Sequence, residues 1–99
     1  MNNALDETTK QKIIGVISVL MPDVKIYLFG SRARGTNALM ADIDIALDAG
    51  KELPVEDVDE IKGMFRESNI IYRIDVVDFY SITDLMREQI IKDRVIWKS

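Results

Sequence analysis

The chain has 99 residues, 47% of them hydrophobic and 30% charged, with a formal net charge of −4. That balance predicts one globular domain over 1–99 and argues against direct nucleic-acid binding, which normally needs a basic stripe. Cysteine and histidine are both absent, which excludes disulfides, thiolate and imidazole metal sites and histidine catalysis; chemistry must rest on carboxylates, hydroxyls, Lys, Arg and hard ions held by oxygen.

In chain order, Met1-Asn2-Asn3-Ala4-Leu5-Asp6-Glu7 lacks the basic start and apolar core of a signal peptide. The apolar stretch 13–21 contains Gly15 and Ser18 and is far shorter than the roughly 20 residues of a membrane span. A cytoplasmic protein without membrane contact is expected. Thr8 and Gln11 have the spacing of a capping box, and Ile13, Val16, Ile17 and Leu20 follow at helical spacing until Pro22. Residues 24–29 read as a strand. Ser31 is placed to cap a short helix that carries Arg32 and Arg34 and ends near Gly35. The span 43–47 is a second strand, and Asp48-Ala49-Gly50 a turn.

Pro54 fits the first turn of a helix with Val58, Ile61, Met64 and Phe65 on one face, stopping near Ser68-Asn69. The β-branched span 70–79 predicts the third strand. Ser81 or Thr83 caps a last helix with Leu85, Met86 and Ile90 inward, and Val95-Ile96-Trp97 adds a terminal strand. Trp97, Met86 and Ile90 suit a core or an interface, with core favoured by residue type. The expected fold is α/β (α+β), a small mixed β-sheet covered by helices in the order α-β-α-β-α-β-α-β.

The chemistry gathers at Gly30-Ser31-Arg32-Ala33-Arg34-Gly35 and at Asp42-Ile43-Asp44. A glycine after a strand permits a close backbone approach, and the following N–H groups with the Ser31 hydroxyl suit phosphate oxygens. Two apart on a helix, Arg32 and Arg34 diverge by about 200°, so one can reach phosphate while the other pairs with an acid or faces a partner. Asp42 and Asp44 project to the same side of a strand. Ile43, Ile45 and Leu47 take the other parity and Ala46 continues theirs, consistent with a localised acidic pocket. Carboxylates so placed repel unless a cation lies between them, and two Mg²⁺ ions about 3.5–4 Å apart are bridged by such groups in phosphoryl transfer. Together these parts describe a site for a metal-bound nucleoside triphosphate. A third carboxylate is offered by Asp75 or Asp78, which point to opposite faces of a regular strand; parity alone does not choose between them.

In these stretches, and in Arg73-Ile74-Asp75-Val76-Val77, the sequence resembles the minimal nucleotidyltransferases (MNT) of the DNA polymerase β-like nucleotidyltransferase superfamily. The likeness runs from the first helix through the third strand. It implies that Gly30 and Ser31 contact the triphosphate, with Arg32 and Arg34 in the same nucleotide-binding turn. It also implies that Asp42 and Asp44 bind Mg²⁺ and that Asp75 is the third carboxylate, helping to activate the incoming hydroxyl. Two departures stand out. Ala41 replaces a serine common before the first aspartate, and Leu39 and Met40 stand where charged residues are usual; these two either pack locally or touch a partner.

The resemblance implies a Mg²⁺-dependent nucleotidyltransferase, with ATP the expected donor. The acceptor-holding domains of larger relatives are not evident in this chain, so the expected acceptor is another protein. Minimal members of the family are typically encoded with a helical HEPN-domain toxin, and the implied role is an antitoxin that transfers AMP to a tyrosine of that toxin. The alternatives are a binding antitoxin that neutralises by occlusion and the catalytic subunit of a two-chain small-molecule nucleotidyltransferase.

Overall fold

A computed structural model of the protein describes residues 5–99; the reading of the extreme N-terminus as free of a signal falls, for 1–4, outside them. Eight elements alternate: α1 (Glu7–Leu20), β1 (Lys25–Phe29), α2 (Gly30–Arg34), β2 (Ile43–Asp48), α3 (Val55–Arg66), β3 (Ile74–Asp78), α4 (Asp84–Asp93) and β4 (Val95–Lys98). The expected order is borne out. Among the described residues no helix is long and apolar enough to cross a membrane.

The sheet is mixed, with strand order β3-β2-β1-β4. β1 pairs antiparallel with β2 and with β4. β2 pairs parallel with β3, and α3 makes the crossover that a parallel pair requires. Alternation along the strands then divides the core. Ile43, Ile45 and Leu47 join Ile26, Leu28 and Val76 beneath α1 and α3, which contribute Ile13, Ile17, Val58, Ile61 and Phe65. On the opposite face Tyr27 and Ala46 pack with Phe79 and with Ile90 of α4. A single ten-residue helix covers that face, leaving the ends of β2 and β3 open beside it.

Several local expectations change. The cap of α1 is Asp6, whose carboxylate accepts from the Thr9 N–H at 3.0 Å and the Thr9 hydroxyl at 2.8 Å. Thr8 therefore lies inside the helix, and Gln11 reaches Glu7 instead of closing a capping box. A full carboxylate at the positive end of the helix competes well with a threonine two residues further in. Likewise Ser31 is not a cap, because α2 begins at Gly30. The third strand is shorter than the span 70–79: the segment 70–73 is a loop, although Ile70 and Tyr72 still pack against the core. Thr83, not Ser81, caps α4 by accepting from the Met86 N–H. Of the three residues expected to face inward from α4, only Ile90 is buried; Leu85 and Met86 are exposed. Met64 likewise lies at the margin of the α3 core face. Trp97 is half-buried against the larger core, with the Lys10 ammonium 5.8 Å from its ring centre.

Candidate active site

The site is built where β1 turns into α2. Gly30 has φ +74° and Gly35 φ +75°, so both ends of the five-residue α2 use the left-handed backbone that glycine tolerates. At Gly30 a second reason applies. A Cβ there would stand 2.2 Å from Oδ2 of Asp44, so the glycine makes room for the carboxylate as well as for the turn.

Asp44 faces Phe29 across the antiparallel pair and Asp75 across the parallel one. Register, not sequence spacing, brings these two acids to one face. Asp42 precedes β2 by one residue and lies near enough to act on Asp44. Burial pushes the Asp44 carboxyl above the usual carboxylate range; the charges of Asp75 and then Asp42 push it further, against the opposing pull of Arg34 and Arg32. Asp42 itself has Arg73 nearby, with Nε 3.9 Å from Oδ2 and both side chains largely exposed.

Asp75 and Asp78, the two candidates for a third carboxylate, have different surroundings. Asp78 is buried and occupied: its carboxylate accepts from the Leu53 N–H at 2.7 Å and the Tyr80 N–H at 3.1 Å. It is the end-of-strand residue that fastens the turn toward Ser81, whose N–H and hydroxyl donate to the Asp78 carbonyl. Asp75 is exposed beside Asp44.

The two arginines diverge as helical geometry requires, and each is engaged. Arg32 turns back onto the loop ahead of Asp42, donating to the carbonyls of Leu39 and Ala41 at 3.0–3.1 Å. Its guanidinium also lies 4.7 Å from the centre of the Tyr72 ring. Arg34 pairs with Asp93 of α4 at 3.2 Å, and hydrogen bonds from Gln89 and Arg34 hold the Asp93 carboxyl below its ordinary range. Nothing local in the sequence marks Tyr72 or Asp93 as part of this cluster, and Asp93 lies 59 residues from Arg34. Leu39 and Met40 do not pack locally, being 69% and 58% exposed. Between α2 and α4 runs a cleft of about 210 Å³ with Phe29, Gly30 and Arg34 on one wall and Met86, Ile90 and Asp93 on the other.

The donor set around Asp44 suits a hard divalent cation, since it offers only oxygen and gathers negative charge on a partly buried carboxylate. Among the described residues no group of three or more acidic side chains is placed so as to hold a metal ion by itself. Mg²⁺ sites commonly need only one or two carboxylates, the rest of the shell coming from substrate phosphates and water.

Residues 11–99 match the family described as Polymerase beta, Nucleotidyltransferase. The chain belongs to this family. Over 81 residues this nucleotidyltransferase is 31% identical to the probable protein adenylyltransferase MntA of Haemophilus influenzae, covering 82% of its own length and 71% of that relative's. It is similar in structure to a chain of a toxin–antitoxin complex solved with AMP-PNP, with TM-score 0.75, 29% identity, and 89% and 71% of the two chains covered. It is also similar to a chain from the complex of a tri-AMPylated Shewanella oneidensis HEPN toxin with an MNT antitoxin, with TM-score 0.73, 26% identity and coverage of 94% and 71%. The resemblance read from the motifs and the expected fold are thereby borne out: the protein is a nucleotidyltransferase with a polymerase β-like core.

Proposed function

We propose that this nucleotidyltransferase transfers AMP from ATP to a hydroxyl, that of a tyrosine, on a partner HEPN-domain protein, and that it acts thereby as an antitoxin in the cytoplasm. The observation that carries the reading is the pairing of Asp44 with Asp75 across β2 and β3, next to Asp42 and against the Gly30 turn. Three acids kept together at a cost in repulsion suit a reaction that neutralises them, not a surface that only binds. The relatives support the rest: one is a probable protein adenylyltransferase, and another is an MNT antitoxin found with an AMPylated HEPN toxin.

In this reading the backbone of the Gly30 turn and the Ser31 hydroxyl hold the outer phosphates, and Asp42, Asp44 and Asp75 hold Mg²⁺. The bound ions would neutralise phosphate charge and align attacking and leaving oxygens. Asp75 orients the acceptor hydroxyl and receives its proton. The acceptor oxygen bonds to the α-phosphorus, the bond from that phosphorus to the bridging oxygen of the β-phosphate breaks, and pyrophosphate leaves with the electron pair. Positioning and charge neutralisation supply the rate. Arg34, held by Asp93 beside Gly30, adds positive charge to the phosphate side, whereas Arg32 secures the loops.

The test uses ATP labelled at the α-phosphate, Mg²⁺ and the HEPN-domain partner, with the wild type and Asp44→Asn run in parallel on a denaturing gel. Label on the partner with wild type alone is expected. A stable complex without label from either protein would replace transfer by occlusion, and labelling of small alcohols in place of the partner would point to the small-molecule enzyme.

A further inference from the structure

Among the described residues, β3 is the edge strand of the sheet on the side of the site. Along it lies a groove of about 540 Å³, with Lys62, Arg66 and Arg73 on its walls and Asp75 at its site end. Three cations border one groove in a chain whose net charge is −4. Arg66 and Arg73 are exposed, and the approach of Arg73 to Asp42 is long, so their charge faces an incoming molecule. The backbone contributes as well. Arg73 and Phe79 hydrogen-bond toward β2 through their C=O and N–H. By alternation, the N–H and C=O groups of Ile74 and Val76 point away from β2, to the groove side. Both residues line it.

We infer that this groove receives the acceptor as an extended acidic polypeptide segment, added alongside β3 so that its target hydroxyl arrives at Asp75. Edge pairing supplies affinity through main-chain hydrogen bonds, and the three cations select a negatively charged sequence on either side of the hydroxyl. Asp75 alone is negative on the groove wall, and it stands where the hydroxyl is to be placed. The inference rests on the acceptor being a polypeptide, as proposed above.

The experiment measures fluorescence anisotropy of the full chain, without ATP and at low salt. The probe is a labelled peptide of alternating glutamate and valine around a central tyrosine. It is expected to bind, to weaken as salt is raised, and to lose about tenfold or more in affinity to the Lys62→Glu/Arg66→Glu pair. The Lys62→Gln/Arg66→Gln pair is expected to fall between, with circular dichroism unchanged, and Lys92→Glu on α4 to bind as wild type. A peptide N-methylated at alternate amides is expected to lose binding. Equal binding of a lysine-for-glutamate peptide, indifference to the charge reversal, or capture of an oligoadenylate in preference to the peptide would each overturn the inference. Charge-sensitive peptide binding without AMP transfer to a partner overturns the transfer reading and leaves the groove standing. Transfer undiminished in the charge-reversed pair overturns the groove alone.

Discussion

The guanidinium of Arg32 lies 4.7 Å from the ring centre of Tyr72 while donating to the carbonyls of Leu39 and Ala41. One side chain thus ties together the α2 turn, the loop before Asp42 and the loop before β3. The sequence expectation places Arg32 among the nucleotide ligands; its hydrogen bonds to the Leu39 and Ala41 carbonyls lead us to propose that it positions the acids.

Arg32→Ala should therefore lower the rate of AMP transfer well before it lowers ATP affinity. Charge-assisted hydrogen bonds are worth about 1.5–3 kcal/mol, so stability should fall by a similar amount. Arg32→Lys should recover little, because an ammonium neither spans two carbonyls as a planar fork nor stacks on a ring in the same way. Calorimetric ATP titration beside chemical denaturation separates the two roles; a loss of ATP affinity equal to the loss of rate would return Arg32 to the phosphates.

Gly30→Ala and Gly35→Ala share the same backbone strain, with φ near +75° at both. Only at Gly30 does the new methyl collide with a carboxylate; at Gly35 nothing lies within 4 Å. Gly35→Ala should cost about 1–2 kcal/mol and retain activity. Gly30→Ala should cost more and abolish transfer, since Asp44 must move. Thermal unfolding and the labelling assay on both variants check the contrast.

Asp44 is held above its ordinary range by burial and by Asp75 and Asp42. A folded carboxyl that binds its proton more tightly than the unfolded one stabilises below the ordinary carboxylate range, and that stability is lost as pH rises through the folded value. In chelator, wild-type stability should therefore decline over that window more than the stability of Asp44→Asn does. Added Mg²⁺ should reverse the decline in wild type alone. Denaturant midpoints across a pH series provide the readout, and parallel curves would count against crowding of the three acids.

Tyr27 donates its hydroxyl to Asp48 at 2.6 Å, and burial together with that carboxylate pushes its ionisation up to about 12. Its contribution to stability is complete below the ordinary tyrosine value near 10 and is lost as pH climbs toward the folded one. Of the three tyrosines, one should titrate late in the tyrosinate absorbance. Tyr27→Phe should remove that late step and the accompanying alkaline loss of stability.

What the amino-acid sequence determined by itself was whatever depends on near neighbours along the chain. Helical and strand periods placed all eight elements in order. Period two put Asp42 and Asp44 on the side of Ala46 and away from Ile43, Ile45 and Leu47, and the glycines marked the turn that admits Asp44. Tertiary structure decided what depends on which elements meet. The parallel register set Asp75 opposite Asp44, while Leu53 and Tyr80 occupied Asp78. α4 brought Asp93 to Arg34, the loop before β3 brought Tyr72 to Arg32, and one short helix left the acidic ends of β2 and β3 uncovered. A side chain's direction follows from its own backbone, but its partner follows from packing between segments far apart in the chain, and no local pattern encodes that.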